Sequence, residues 1–518
     1  MTRDTTTSPD TSTDDEQQLA SFGYKQELDR SLRFWTTWAI GFAFISPIVG
    51  LYTLVALGAT TAGPPWVWTI PIAVVGQLLV AMVYAQLAVR WPIAGGIYQW
   101  SRRLIGPKYG WWAGWIYAWA LFLTLAGVTY FGGFFLANLV GVEDPTTNQN
   151  IGFALIVLAI LTAVNMIGLK VLKYTILIGI GAELIASVAI GISLLLFFRE
   201  QPFSVVVDTS FVPEGDTFLA AFIAALAFAG WAILGFDACG SVAEETLNAR
   251  RWVPKAIIWS LIPVGIVEII GAFALMLATP DMGAVVSGDI VDPVANAVTA
   301  GFGSWIEKPF LAVVVIGYLA CGIAIQATGT RVVYSFSRDG MFPGSRIWRV
   351  VLPSNKLPVY AVALIAALAA LAFLYTEGLT MILLFATGAY FIGFLAPVGA
   401  YVYIRAKGRW TAPKSPYSFG KLGFPIAIIA SIWLVLELIN IAWPRDYGGA
   451  WWETWAVEVG LAACIGIGLV YFLAFRPDKK FTEAAEAMKA AREIEADIEA
   501  QAEASEEAGP PSAPAPVS

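Results

Sequence analysis

Three points in this sequence place polar chemistry inside apolar surroundings. Glu183 is the only charge in the run "YTILIGIGAELIASVAIGISLLLFF". Asp237 lies between two glycines in "AFAGWAILGFDACGSVAEE", after apolar bulk and before a polar exit at Glu244 and Glu245. Ser46 and Pro47 interrupt "GFAFISPIVGLYTL", with Gly50 one helical turn on. Even lenient scales charge roughly 2.5–3.5 kcal/mol for an acid at the centre of a lipid-spanning helix, so such groups mark a proton, a cation or a dedicated hydrogen bond. Pro47 removes a helical hydrogen bond and crowds the preceding turn, which predicts a break near residues 45–50. Glycines 230, 235 and 240 allow a second segment to open and a ligand to approach its backbone. Amides bared at a half-helix N-terminus attract a carboxylate, and freed carbonyls accept from an ammonium.

Such breaks need helices around them. Of 518 residues, 58% are hydrophobic and only 13% charged; soluble chains carry about 25% charge. Apolar runs long enough to cross a bilayer recur twelve times, at about 34–59, 67–88, 111–140, 151–168, 174–198, 217–243, 252–279, 308–335, 358–376, 379–404, 424–443 and 453–475. Nineteen basic residues, from Arg90 to Lys421, fall in or beside alternate connections, against Arg199, Lys308 and Arg445 on the other side. The positive-inside bias puts the rich side and both termini in the cytoplasm of a multi-pass cell-membrane protein. The first apolar run follows a polar tail and is too long for a cleaved signal.

The chain has no histidine, which removes imidazole-based metal sites, Ser-His-Asp catalysis and imidazole relays. No phosphate-cradling G-x-x-x-x-G-K-[ST] loop occurs. Cys239, Cys321 and Cys464 lie in apolar segments without metal spacing. No enzyme activity, cofactor or nucleic-acid partner is expected, and the oligomeric state is left open. Residues 1–33 read as a disordered tail, 34–475 as the membrane domain, and 476–518 as a tail with a soluble helix over 481–507 and a disordered Pro/Ala end.

Three motifs occur in order: "RWPIAGGIYQWSRRLIGPKYG", "GFDACGSVAEETLNARRWVPKAI" and "TGTRVVYSFSRDGMFP". Together they resemble the amino acid–polyamine–organocation superfamily of secondary transporters. "GPPWVWTI", after the first span, is similar to the branch of amino acid, GABA and choline permeases. The resemblance implies an all-α fold of ten core helices in a 5+5 inverted repeat with helices one and six discontinuous, plus two further helices. It implies alternating-access uptake of an amino acid or related amine held between helices one and six. The first-helix contacts would come from Ser46, Pro47, Ile48, Val49 and Gly50. Those of the sixth would be carbonyls around Trp231, Ala232 and Leu234, with Phe228, Trp231 and Phe236 as pocket aromatics. The chain departs from the common G-x-G turn of helix one: Pro47-Ile48-Val49 stands there, and proline offers no amide to a carboxylate. Na+-coupled or exchange transport of a cationic amine, such as a GABA-like, polyamine or choline substrate, is therefore the alternative.

By the same resemblance Glu183 falls where proton-coupled relatives often carry lysine. Two couplings are open. In one, Glu183 takes up a proton facing outward and releases it inward. In the other, ionised Glu183 binds Na+ with Thr328 and Thr330, since oxygen ligands suit hard cations. Asp237 either caps the second half-helix, accepting amides around Cys239 and Gly240, or contacts a substrate ammonium. A channel would need a polar ring or filter that the few intramembrane acids do not supply. A nutrient sensor on the same fold is the rival in a different class.

Overall fold

The computed structural model describes residues 10–143, 145–212, 217–374, 379–445 and 450–481. Apart from one backbone bridge between Leu32 and Thr246, the described residues form helices and their connections. Helix α1 (Asp10–Ser21) leads to α2 (Phe34–Ile45) and α3 (Pro47–Ala62), two halves of one span. Then come α4 (Thr69–Arg90), the short α5 (Gly96–Ile105), α6 (Pro107–Leu139) and α7 (Thr147–Ile167). The next span joins α8 (Leu169–Glu183), a π-helical stretch over Leu184–Ile190, and α9 (Gly191–Phe197). A second interruption separates α10 (Phe218–Ala232) from α11 (Ala238–Ser241), and α12 (Ala249–Ala278) follows. Two short helices, α13 (Met282–Ser287) and α14 (Pro293–Phe302), precede α15 (Glu307–Arg338). The chain ends with α16 (Ser345–Trp348), α17 (Val359–Ala372), α18 (Leu379–Ala406), α19 (Gly423–Ala442), α20 (Trp451–Thr454) and α21 (Ala456–Phe475).

Among the described residues, ten spans are long and apolar enough to cross a membrane. The expected runs at 217–243 and 358–376 are represented by α10, of 15 residues, and α17, of 14. At about 1.5 Å per residue neither reaches the roughly 30 Å of a hydrocarbon core as a continuous helix. For α10 the reason is local: the chain leaves the helix after Ala232.

Burial sorts the helices into layers. The α2–α3 span is 89% buried, and those holding α6 and α15 are 78% buried. The α19 and α21 spans are only 28% buried, and α7 is 33%. These outer helices turn Ile156, Ile160, Leu436, Ile439, Val470 and Leu473 outward. An apolar face of that extent suits lipid rather than water. Inside the ring, α12 packs along α2 and α4, α15 along α6 and α8, and α10 on α3.

The disorder expected over 1–33 does not hold from Asp10 onward. Residues 10–21 are helical, and Leu19, Leu28 and Leu32 are buried. Leu32 N donates to Glu245 O and Leu247 N to Leu32 O, both at 2.8 Å, stitching the tail to the exit from α11. Polar composition hid these sparse apolar anchors. The predicted soluble helix and Pro/Ala end lie outside the described residues from 482 on.

Candidate functional site

Pro47 cannot continue α2, so that helix ends at Ile45. Ser46 takes φ +52°, and its hydroxyl oxygen accepts from Val49 N at 3.3 Å, capping α3. Pro47 opens α3 at the first helical position, where a missing N–H is harmless. The second break runs over 233–237, with Gly235 at φ +109°. A Cβ on Gly235 would lie 1.9 Å from Phe44 Cδ1, so glycine serves both the backbone sign and the contact between the two breaks. A Cβ on Gly50 would lie 2.6 Å from Glu268 Oε1 and 3.0 Å from the Ala232 carbonyl oxygen. The two interrupted segments therefore touch backbone to backbone.

Between them lies a hollow of about 10 Å³, bordered by Phe44, Ile45, Val49 and Gly50 from the first span and by Trp231 and Leu234 from the second. Thr124 and Val128 of α6 and Cys321 and Ile325 of α15 close it. The Thr124 hydroxyl has no hydrogen-bond partner among the described residues, and Cys321 Sγ donates to Phe44 O at 3.2 Å.

The other expected contacts are distributed differently. Pro47 and Ile48 are buried, and Ile48 packs against Gly317. Phe228 is partly buried and packs on the core outside the hollow's border. Phe236 is fully buried, its ring 5.8 Å from that of Tyr84 and 5.2 Å from that of Phe394, and it too stands away from the hollow. Asp237 does not cap α11 through its side chain. The Tyr117 hydroxyl donates to Asp237 Oδ2 instead, while the backbone carbonyl of Asp237 accepts from Gly240 N at 2.8 Å. Of the two roles left open for Asp237, the side-chain cap is thereby replaced by a bond from a tyrosine of α6.

Glu183 is buried at the end of α8, and Ser46 Oγ donates to its Oε1 at 2.6 Å. Its Oε2 has no hydrogen-bond partner among the described residues. The π-helical stretch that begins at the next residue is a departure often found at functional positions. A second acid, Glu268 of α12, escaped sequence reasoning. It is fully buried against Gly50, and neither carboxylate oxygen has a partner among the described residues. The signal was available, because Glu268 is the only acid in the run 252–279.

Thr328 and Thr330 do not join Glu183. Lys173 of α8 donates to Ser31, at the end of the bundle where Arg331 of α15 meets Glu245, so α8 and α15 run in opposite directions. Gly179 packs on Ala320, which puts Glu183 about a turn nearer the start of α15. Thr328, eight residues past Ala320, stands about 12 Å along the axis toward the other end. Each hydroxyl donates to its own helix, Thr328 to Ala324 O at 2.8 Å and Thr330 to Gln326 O at 2.7 Å.

That other end is where the three sequence motifs meet. Arg331 grips Glu245 through two hydrogen bonds, 2.6 and 3.0 Å long, with both side chains buried. Arg338 holds Glu244 at 2.8 and 2.9 Å, and Ala94 N donates to the same carboxylate at 3.1 Å. Asp339 accepts from Tyr98 at 2.6 Å and Tyr24 at 2.8 Å. The N-terminal segment completes the seal: Gln26 and Arg30 donate to Glu244 O at 3.1 Å, and Tyr334 donates to Glu27 at 2.7 Å. Burial, reinforced by Asp339, pushes the Tyr24 hydroxyl up to about 12, so it stays a donor.

A family model described as amino acid permease matches residues 32–470. The chain belongs to the amino acid permease family. The amino-acid permease BAT1 of Arabidopsis thaliana is 26% identical over 489 residues, covering 88% of this chain and 93% of the relative. Its homolog in Oryza sativa subsp. japonica is 25% identical over 465 residues, covering 83% and 88%. The low-affinity putrescine importer PlaP of Escherichia coli (strain K12) is 25% identical over 354 residues, covering 67% and 75%. As a member of this permease family the protein is a multi-pass membrane transporter of amino acids or amines, not an enzyme.

Proposed function

We propose that this permease is a secondary active transporter that takes up an amino acid or related amine by alternating access, driven by protons. α10 with the exit through α11, and α17, complete a count of twelve spans, arranged as a 5+5 inverted repeat followed by α19 and α21. The protein sits in the cell membrane with both termini in the cytoplasm, on the side carrying the basic connections. The sealed cluster around Glu244, Glu245 and Asp339 is then the cytoplasmic gate, held shut.

The observation that carries the reading is the pair of facing breaks, with the hollow between them and Glu183 bonded to the residue where the first helix parts. Matched interruptions of this kind point to a transporter's midplane site. Glu183 is the proton carrier: protonated, it lets Ser46 and the two half-helices close; ionised, it holds an uncompensated charge that favours reopening. The distance of Thr328 and Thr330 from Glu183 supports a proton over Na+ at this position. Relatives named as amino-acid permeases and as a putrescine importer support the substrate class.

Purified protein in proteoliposomes, given proton and sodium gradients separately, tests the reading. Accumulation under the proton gradient alone is expected. Accumulation under sodium alone overturns the coupling, and binding without accumulation assigns the protein to sensing instead.

A further inference from the structure

The groups around the two breaks are unevenly divided between donors and acceptors. A half-helix N-terminus ordinarily offers several free amides to an anion. At the start of α3 that supply is nearly used up. Pro47 has no amide, Val49 N is taken by Ser46 Oγ at 3.3 Å, and Gly50 N goes to Ser46 O at 2.9 Å. Acceptors, in contrast, are in excess. Glu183 Oε2 and both oxygens of Glu268 have no hydrogen-bond partner among the described residues, although both side chains are at least nine-tenths buried. The Ala232 carbonyl lies beside Glu268 at Gly50, and the negative end of the α10 dipole points the same way. No Lys or Arg among the described residues bonds or pairs with either carboxylate.

A carboxyl buried this way either holds a proton, as Glu183 does in the cycle proposed above, or takes a cationic partner, and Glu268 is placed for the second role. Glu268 adjoins Gly50, and Gly50 borders the hollow, so Glu268 stands directly behind the glycine wall that a solute entering there would touch. The Trp231 ring and the unpartnered Thr124 hydroxyl complete surroundings suited to an ammonium group. At the start of α3 a carboxylate on the solute would find one free amide, that of Ile48, with Glu268 close behind Gly50.

We infer that Glu268 is the specificity-determining residue of this site, the counter-ion for an ammonium group, and that the site selects cationic amines lacking a carboxylate. This rests on the transport reading above and narrows its substrate class. Glu183 remains the proton carrier, and Glu268 recognises the solute.

A matched pair of probes tests it, because 1,4-diaminobutane and ornithine differ by a single carboxylate. Binding and uptake of both are measured on the full-length protein in proteoliposomes, with wild type, Glu268→Gln and Glu268→Asp. Wild type is expected to favour 1,4-diaminobutane at least tenfold. Glu268→Gln loses that preference, and Glu268→Asp keeps part of it. Equal or tighter handling of ornithine by wild type overturns the inference while leaving transport intact. An unchanged preference in a folded Glu268→Gln protein also overturns it. Failure to take up any amine or amino acid overturns the transport reading as well. Should Glu268→Gln fail to fold, the wild-type ratio alone decides.

Discussion

Ser46 and Glu183 are joined by a 2.6 Å hydrogen bond, and Ser46 is the one residue between the two halves of the first span. The acid is therefore tied to the point where the helix parts, so a change in its charge reaches the backbone through one bond. Glu183→Gln keeps an acceptor for Ser46 and cannot cycle a proton. Proton-driven uptake is expected to fall at least tenfold, with counterflow exchange between equal solute pools retained. Losing both together would show that the residue is structural.

Gly235→Ala meets two obstacles at once. The residue sits at φ +109°, and its new Cβ would lie 1.9 Å from Phe44 Cδ1. Overpacking of this kind costs about 1–3 kcal/mol, with left-handed strain added. A lower melting temperature and loss of uptake are expected. By comparison Gly152→Ala, where a Cβ meets nothing within 4 Å, should change neither.

The Arg331–Glu245 pair is buried on both sides, so removing one partner strands the other's charge. That costs about 3–5 kcal/mol, whereas replacing both with apolar groups is close to neutral. Glu245→Gln should lower stability and loosen the gate, seen as faster labelling of a reporter cysteine placed beside Thr246. The double variant Glu245→Leu with Arg331→Met should recover most of the stability. Additive losses in the double variant would contradict the pairing.

The N-terminal segment clamps the same cluster, the gate of the proposed cycle, and its pH response has a definite sign. The Tyr24 hydroxyl is raised from 10.0 to about 12 by burial and by Asp339. Its contribution is fully present below the ordinary phenol value and is lost as pH rises toward 12. Across the neutral range the Tyr24–Asp339 bond should hold steady, and hydrogen exchange at the gate should show no step assignable to it. Tyr24→Phe should speed that exchange at every neutral pH. A step near neutrality that disappears in Tyr24→Phe would refute this.

Much of the architecture could be read directly, because lipid allows few ways to satisfy a backbone and demands long apolar runs. The breaks were legible for a similar reason: Pro47 cannot extend α2, and Gly235 accepts a backbone sign that other residues resist. What could not be read depends on partners far away in the chain. Asp237 was expected either to cap its own helix or to contact a substrate ammonium, and the partner its side chain takes is Tyr117, 120 residues earlier. Glu268 gains its meaning only from lying against Gly50, and Thr328 and Thr330 miss Glu183 because of the axial offset between two antiparallel helices. Local sequence carries no measure of that offset. The N-terminal anchors were too sparse to stand out in a polar segment.

The hollow between the breaks holds about one water molecule's volume, whereas 1,4-diaminobutane has six non-hydrogen atoms. No such solute can cross past Trp231 and Phe44 while these walls stay where they are. Each passage must spread the packing and let it shut again. That same tightness gives a resting membrane its insulation, since a column of water cannot thread a space of this size, and solutes and ions do not leak through idle copies by this route.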